Sequence, residues 1–214
     1  MTGVSRTVGL CLAFVALVIG MFFYSKTREP VLSDAELRDL GVILLPRPRD
    51  LAPFELQNAA GGSFDKAMLE GRWSFIFFGF THCPDVCPTA LSVMAIAERA
   101  ITENGMDESA PFQGVLVSVD PERDDVGTLS RYVSGFSPRF LAVRGEREAL
   151  ATFATQVNVA FAQVPDPSGA SAYQVDHTGN IVIINPRGHY HGFIRVPHKA
   201  ETISATYRSL ASAF

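Results

Sequence analysis

The run Trp73-Ser74-Phe75-Ile76-Phe77-Phe78-Gly79-Phe80, followed closely by Cys83-Pro84-Asp85-Val86-Cys87-Pro88, constrains this chain more than any other stretch. A short continuous apolar run fits a strand buried on both faces. Pro88 suits the first turn of a helix, where a missing N–H costs nothing, and makes Cys87 a candidate N-cap or its neighbour. Leu91, Met94, Ala95 and Ile101 then continue as one apolar face at helical spacing. A buried strand that ends in a two-thiol turn and enters a helix delivers both sulfurs to one exposed corner.

The following segments alternate in the same way. Strands are expected over 115–119 and 139–143, and helices over 126–135 and 147–157. A hairpin-like stretch comes next, 159–164 and 172–175 across the turn 165–169. Strands 180–184 and 190–195 are joined by Asn185-Pro186-Arg187-Gly188, a strong hairpin signal, and a last helix covers 199–211. Alternating strands and helices imply an α/β layer architecture with a mixed sheet flanked by helices. The order matches a thioredoxin-like fold with an N-terminal extension and an insertion before the last hairpin. Upstream, Ser33-Asp34-Ala35-Glu36 has capping-box spacing and starts a short helix, and Phe54-Glu55-Leu56 alternates like a short strand. Pro46-Arg47-Pro48-Arg49 reads as an extended connector, because each proline pushes its predecessor out of the helical region.

Between Thr7 and Ser25 there is no charged residue. The run sits near the lower limit of roughly 17–25 residues for a membrane-spanning helix. Gly-Met-Phe-Phe-Tyr-Ser-Lys at its end offers no small-x-small cleavage site and places aromatics where an interfacial belt falls. An uncleaved N-terminal transmembrane anchor is therefore expected, although the flanking Arg6, Lys26 and Arg28 do not fix its orientation. The domain reading is 1–29 as tip, anchor and flank, 30–50 as linker with a short helix, and 51–214 as the folded domain. Beyond residue 29 the chain keeps 15 basic and 21 acidic side chains, a net charge of −6. That excludes the basic stripe of a nucleic-acid binder.

There are three cysteines, and Cys11 lies in the apolar N-terminus, so the domain has one pair. One pair is too few for a disulfide scaffold and reads as a site. Positions i and i+4 on a helix face lie about 5–6 Å apart at Cβ. Both sulfurs then reach one ion at about 2.3 Å, while a loop-to-helix junction still bends enough for a disulfide. Thiolates are soft metal ligands and also the nucleophiles of disulfide exchange, and the helix N-terminus favours both uses. A metal needs a third donor from His82, His177, His189, His191 or His198. His177 stands out, because Asp176-His177-Thr178-Gly179-Asn180 leads straight into a core strand and its loop borders the thiol corner in such a fold. His82, His189, His191 and His198 read as solvated, and Asp120-Pro121-Glu122-Arg123-Asp124 as a solvated turn near the site. Asp85 is either a helix cap or a partner-orienting group. A set of two sulfurs and one nitrogen with an open position suits copper, as Cu(I) or Cu(II).

The stretch 78–89, Phe-Gly-Phe-Thr-His-Cys-Pro-Asp-Val-Cys-Pro-Thr, resembles the signature of the Sco/SenC family, the copper-binding proteins of cytochrome c oxidase assembly. Val117-Ser118-Val119-Asp120-Pro121-Glu122-Arg123-Asp124 and Val175-Asp176-His177 are similar to two further segments of that family. The resemblance runs from about Leu45 to the C-terminus. It implies a thioredoxin-like domain on the periplasmic or outer side of the inner membrane, with copper held by Cys83, Cys87 and His177. It also implies delivery of copper to the CuA centre on subunit II of the oxidase, or reduction of that centre's thiols. Other copper chaperones or thiol reductants are further expected partners. The rival reading is a thiol–disulfide oxidoreductase that uses Cys83 and Cys87 without carrying copper.

Overall fold

The computed structural model describes residues 2–27, 31–105, 108–165, 169 and 173–214. Residues 166–168 of the turn expected over 165–169, and the strand start at Ala172, lie outside the described residues. The chain divides into two units, Met1–Val31 and Leu32–Phe214. The first contains helix α1 (Thr2–Thr27), on which Leu10, Phe14 and Leu17 are exposed. The membrane-crossing anchor expected here is not met: among the described residues no helix is long and apolar enough to cross a membrane.

The second unit begins with helix α2 (Asp34–Asp39), where Ser33 and Glu36 form the expected capping box. Strand β1 (Val42–Asp50) follows, then β2 (Leu56–Asn58), β3 (Ser63–Phe64) and β4 (Trp73–Gly79). Next come α3 (Val86–Glu103), β5 (Phe112–Ser118), α4 (Val126–Ser134), β6 (Leu141–Arg144) and α5 (Arg147–Gln156). The chain ends with β7 (Phe161–Pro165), β8 (Tyr173–His177), β9 (Ile181–Ile184), β10 (His189–Ile194) and α6 (Ala200–Ala213). Eight strands form one sheet in the order β1-β10-β9-β4-β5-β6-β2-β3, while β7 and β8 form a separate two-stranded ribbon. The central strands β4, β5 and β6 are parallel, and β9 lies antiparallel against β4. This is the mixed α/β sheet that the alternation of elements predicts.

Every residue of β4 and β5 is buried, as continuous apolar runs require when helices cover both faces. Alternation sends Phe75 and Phe78 to opposite sides. Phe75 stacks on Phe112, which meets Tyr207 of α6. Phe78 meets Phe153 of α5, which also stacks on Phe54. Each such burial contributes on the order of 1.5–3 kcal/mol. Phe54 therefore belongs to the core ahead of β2, and the strand expected at 54–56 starts two residues later.

Pro46 and Pro48 are extended, as expected, but within an edge strand. The β1–β10 register shifts between Leu44 and Arg49, so both prolines fall on the unpaired stretch where a missing N–H costs no ladder bond. The β9–β10 turn forms as the sequence predicts. Asn185 Oδ1 accepts from the amides of Arg187 and His189, and Gly188 takes φ +70°.

Candidate metal centre

At the end of β4 the chain turns through 80–85 into α3. Asp85 occupies the N-cap position but makes no side-chain capping bond. The Cys83 sulfur takes that role, accepting from the Cys87 backbone N–H at 3.4 Å. Cys87 and Pro88 thus lie inside the first turn, one step further into the helix than proline placement suggests. The close approach of Cys87 to β4 requires Gly79: a Cβ there would lie 3.0 Å from Cys87 Sγ and 2.9 Å from the Phe77 ring.

Both cysteines are reduced and buried, Cys87 completely. Hydrogen bonding from the Cys87 thiol lowers the Cys83 pKa to about 4, helped by His177 and by the amides of Cys87 and Asp85 and opposed by burial. The Cys87 thiol is pushed up by that same hydrogen bond and by burial. The two sulfurs therefore share one proton as a coupled pair, with the anion on the sulfur nearer the helix N-terminus.

His177 is the last residue of β8, paired with Phe161 of β7. Its Nδ1 lies 3.2 Å from the Thr178 carbonyl. A carbonyl only accepts, so Nδ1 carries a proton toward it, and Nε2 is the ring nitrogen that faces the sulfurs. Nε2 is 3.6 Å from Cys87 Sγ. The ring stands edge-on to Phe77 and Phe80, with centroids at 5.7 and 6.0 Å. The ligand atoms of Cys83, Cys87 and His177 all lie within 4.8 Å of one another, the one such group among the described residues. Three donors about 2.2 Å from a trigonal ion are about 3.8 Å apart, so small side-chain movements suffice to close on a cation. His177 also lines an open groove of about 390 Å³ with Phe161, Asp176 and Thr178, which leaves an approach from solvent.

The turn 120–124 departs from its solvated reading, because Asp120 and Asp124 are both fully buried. Asp124 accepts from the Thr81 amide at 3.1 Å, from the Thr81 hydroxyl and from Ser118 Oγ at 2.6 Å. It thereby ties the thiol loop to the end of β5. A pair of aspartates four apart at the end of a strand parallel to β4 is the sequence signal that could have marked this.

The other histidines stay outside the cluster. His82 is exposed, with Nδ1 3.1 Å from Thr81 Oγ1 and 3.7 Å from Asp124. His189 pairs with Asp50 at 3.5 Å. His191 and His198 are half-buried rather than solvated: His191 meets Trp73 and the Asn185 amide, and His198 Nε2 meets the Gly179 carbonyl at 2.8 Å.

A thioredoxin-like α/β domain that presents a reduced thiol pair at a helix N-terminus, with an imidazole closing on it, defines a class of thiol proteins equipped for soft metals. Comparison with known proteins narrows the class. The chain belongs to the SCO1/SenC family, whose model matches residues 46–212. A Stutzerimonas stutzeri protein whose name proposes copper binding is 35% identical over 168 residues, covering 78% of this chain and 80% of its own. The human mitochondrial SCO2 homolog is 36% identical over 162 residues, 75% of this chain but 59% of the human protein. Among solved structures, Arabidopsis thaliana ScoI with copper bound aligns with a TM-score of 0.68 at 29% identity, covering 75% of this chain and 98% of that one.

Proposed function

We propose that this protein carries copper, held by Cys83, Cys87 and His177, and passes it to the CuA site of cytochrome c oxidase subunit II. The observation that carries this reading is the convergence of two sulfurs and one imidazole nitrogen within 4.8 Å. The donor set fits the ion. Two soft sulfurs and one imidazole suit Cu(I) in three-coordination, whereas closed structural zinc takes a fourth protein ligand. His177 is also the most accessible of the three, so partner thiolates displace it first and the sulfurs afterwards. The exposed apolar side chains of α1 hold the protein at the inner membrane, on its outer side, where the acceptor lies. Other copper chaperones or thiol reductants load and reset the site.

The test is His177→Ala. Cu(II)-loaded wild type shows a sulfur-to-Cu(II) charge-transfer band, and the variant loses the band or releases copper. A variant that holds Cu(II) as wild type does would remove His177 from the site.

A second reading rests on the asymmetric thiols. The Cys83 thiolate attacks a partner disulfide and displaces one partner thiolate. Cys87, after giving up its proton, attacks the mixed disulfide and releases the second. Two electrons pass to the partner and a Cys83–Cys87 disulfide remains. His177→Ala leaves this exchange largely intact while tight Cu(II) binding is lost, which separates the two readings.

A further inference from the structure

His177 sits on the β7–β8 ribbon, which among the described residues pairs with no strand of the main sheet. A lone two-stranded ribbon is marginally stable in water, yet a ligand has to be held to within about 0.5 Å. Tyr173, Val175 and His177 alternate onto one face of β8. Val175 is buried, while Asp176 between them is exposed. That face therefore packs on the domain, and whatever fixes Tyr173 fixes the aim of His177 four residues on.

Tyr173 is fixed by the turn after β5. Its hydroxyl donates to Asp120 Oδ1 at 2.8 Å. The Arg123 guanidinium lies 4.2 Å from the centroid of the Tyr173 ring and 5.6 Å from that of Phe80. Its Nε donates to Asp120 and its Nη1 to the Tyr173 carbonyl at 3.4 Å. Phe80 in turn meets the His177 ring on the thiol side. One planar cation is thus layered between the ribbon and the thiol loop, at both ends of the segment that presents the imidazole. A weaker tie joins Gln163 of β7 to Glu122 at 3.3 Å.

We infer that Arg123, with Asp120 and Tyr173, is the clamp that positions His177 against the thiol pair, so that the turn after β5 sets the third ligand's place. None of the three belongs to the ligand group of Cys83, Cys87 and His177. They are positioning residues, and the inference deepens the copper reading on which it rests.

The test uses Arg123→Lys, which keeps a charge beside Asp120 but loses the planar stack and the fork of donors. Tyr173→Phe is the milder partner, since it keeps the ring and removes one hydrogen bond. In metal-free protein, amide exchange across 161–165 and 173–177 should accelerate at least about tenfold in the lysine variant, the factor carried by one lost hydrogen bond to a charged group. Exchange in β4 and α3 should stay at wild-type values. Copper-loaded Arg123→Lys should lose imidazole nitrogen hyperfine coupling and release Cu(II) at least about tenfold faster, toward the His177→Ala rate. Wild-type exchange in the ribbon, or acceleration spread evenly over the domain, overturns the clamp. If wild type and His177→Ala bind Cu(II) alike, the ligand reading fails instead, and metal-free exchange alone decides the clamp.

Discussion

Cys87 reaches zero exposure against the end of β4 because residue 79 has no side chain. Gly79 is not in the left-handed region, so the demand is purely steric: an added methyl carbon would stand 3.0 Å from Cys87 Sγ and 2.9 Å from the Phe77 ring. Phe77 cannot yield freely, since it also packs edge-on against His177 and His198. Gly79→Ala should therefore cost about 1–3 kcal/mol, the usual range for overpacking a filled core. It should also push the Cys87 sulfur away from its partners. Urea unfolding of the metal-free protein measures the first effect and Cu(II) release the second. A variant with wild-type values for both would show that the strand end has slack that the packing does not reveal.

At the scale of elements, the thiol loop is held from below by a single carboxylate. Asp124 gathers the Thr81 amide, the Thr81 hydroxyl and the Ser118 hydroxyl at a position with no exposure. Asp124→Asn turns one acceptor into a donor that faces donors, so the expected loss is about 1–3 kcal/mol. Amide exchange at Thr81 should rise well above that of Phe77. Unchanged urea midpoints would mean that rotated hydroxyls satisfy the amide. This element also marks what the sequence could and could not reveal. Strands β4 and β5 were legible because burial on both faces leaves an uninterrupted apolar run, and the clustering of Cys83, Cys87 and His177 because thiols and imidazoles are few here and their elements were recognisable. The burial of Asp120 and Asp124 was not legible. A run of charges looks the same whether it faces water or caps a neighbouring strand, and only the parallel pairing of β4 with β5 decides which. His198 was hidden for the same reason, since its partner is a backbone carbonyl at Gly179.

Across the whole molecule, two half-buried histidines, His191 and His198, make the fold sensitive to acid. Burial lowers the pKa of His191 and, more weakly opposed by the Gly179 carbonyl, that of His198. His191 and Phe214 both pack edge-on against Trp73; Asp34 is the charge that partly favours the protonated form of His191. The Asn185 side-chain amide lies 3.2 Å from His191 Nδ1 and donates to it, so protonation there sets donor against donor. In His198, Nε2–H serves the Gly179 carbonyl, and Nδ1 is buried without a partner among the described residues. A proton on Nδ1 would be a buried donor with nothing to accept it. The unfolded chain binds these protons near the ordinary value of 6.5 and the folded chain only at lower pH. Between those limits the unfolded state holds more protons, so stability is fully present above about pH 6.5 and falls as pH drops through the folded values. Urea midpoints of metal-free protein at pH 7.5 and pH 5 should show this loss. The double variant His191→Gln with His198→Gln should lose less over the same interval, because glutamine cannot take up the proton, and the other titrating groups are common to both chains. Equal losses in the two proteins would mean that the imidazoles protonate in place and that acid acts on the fold through its carboxylates and thiols.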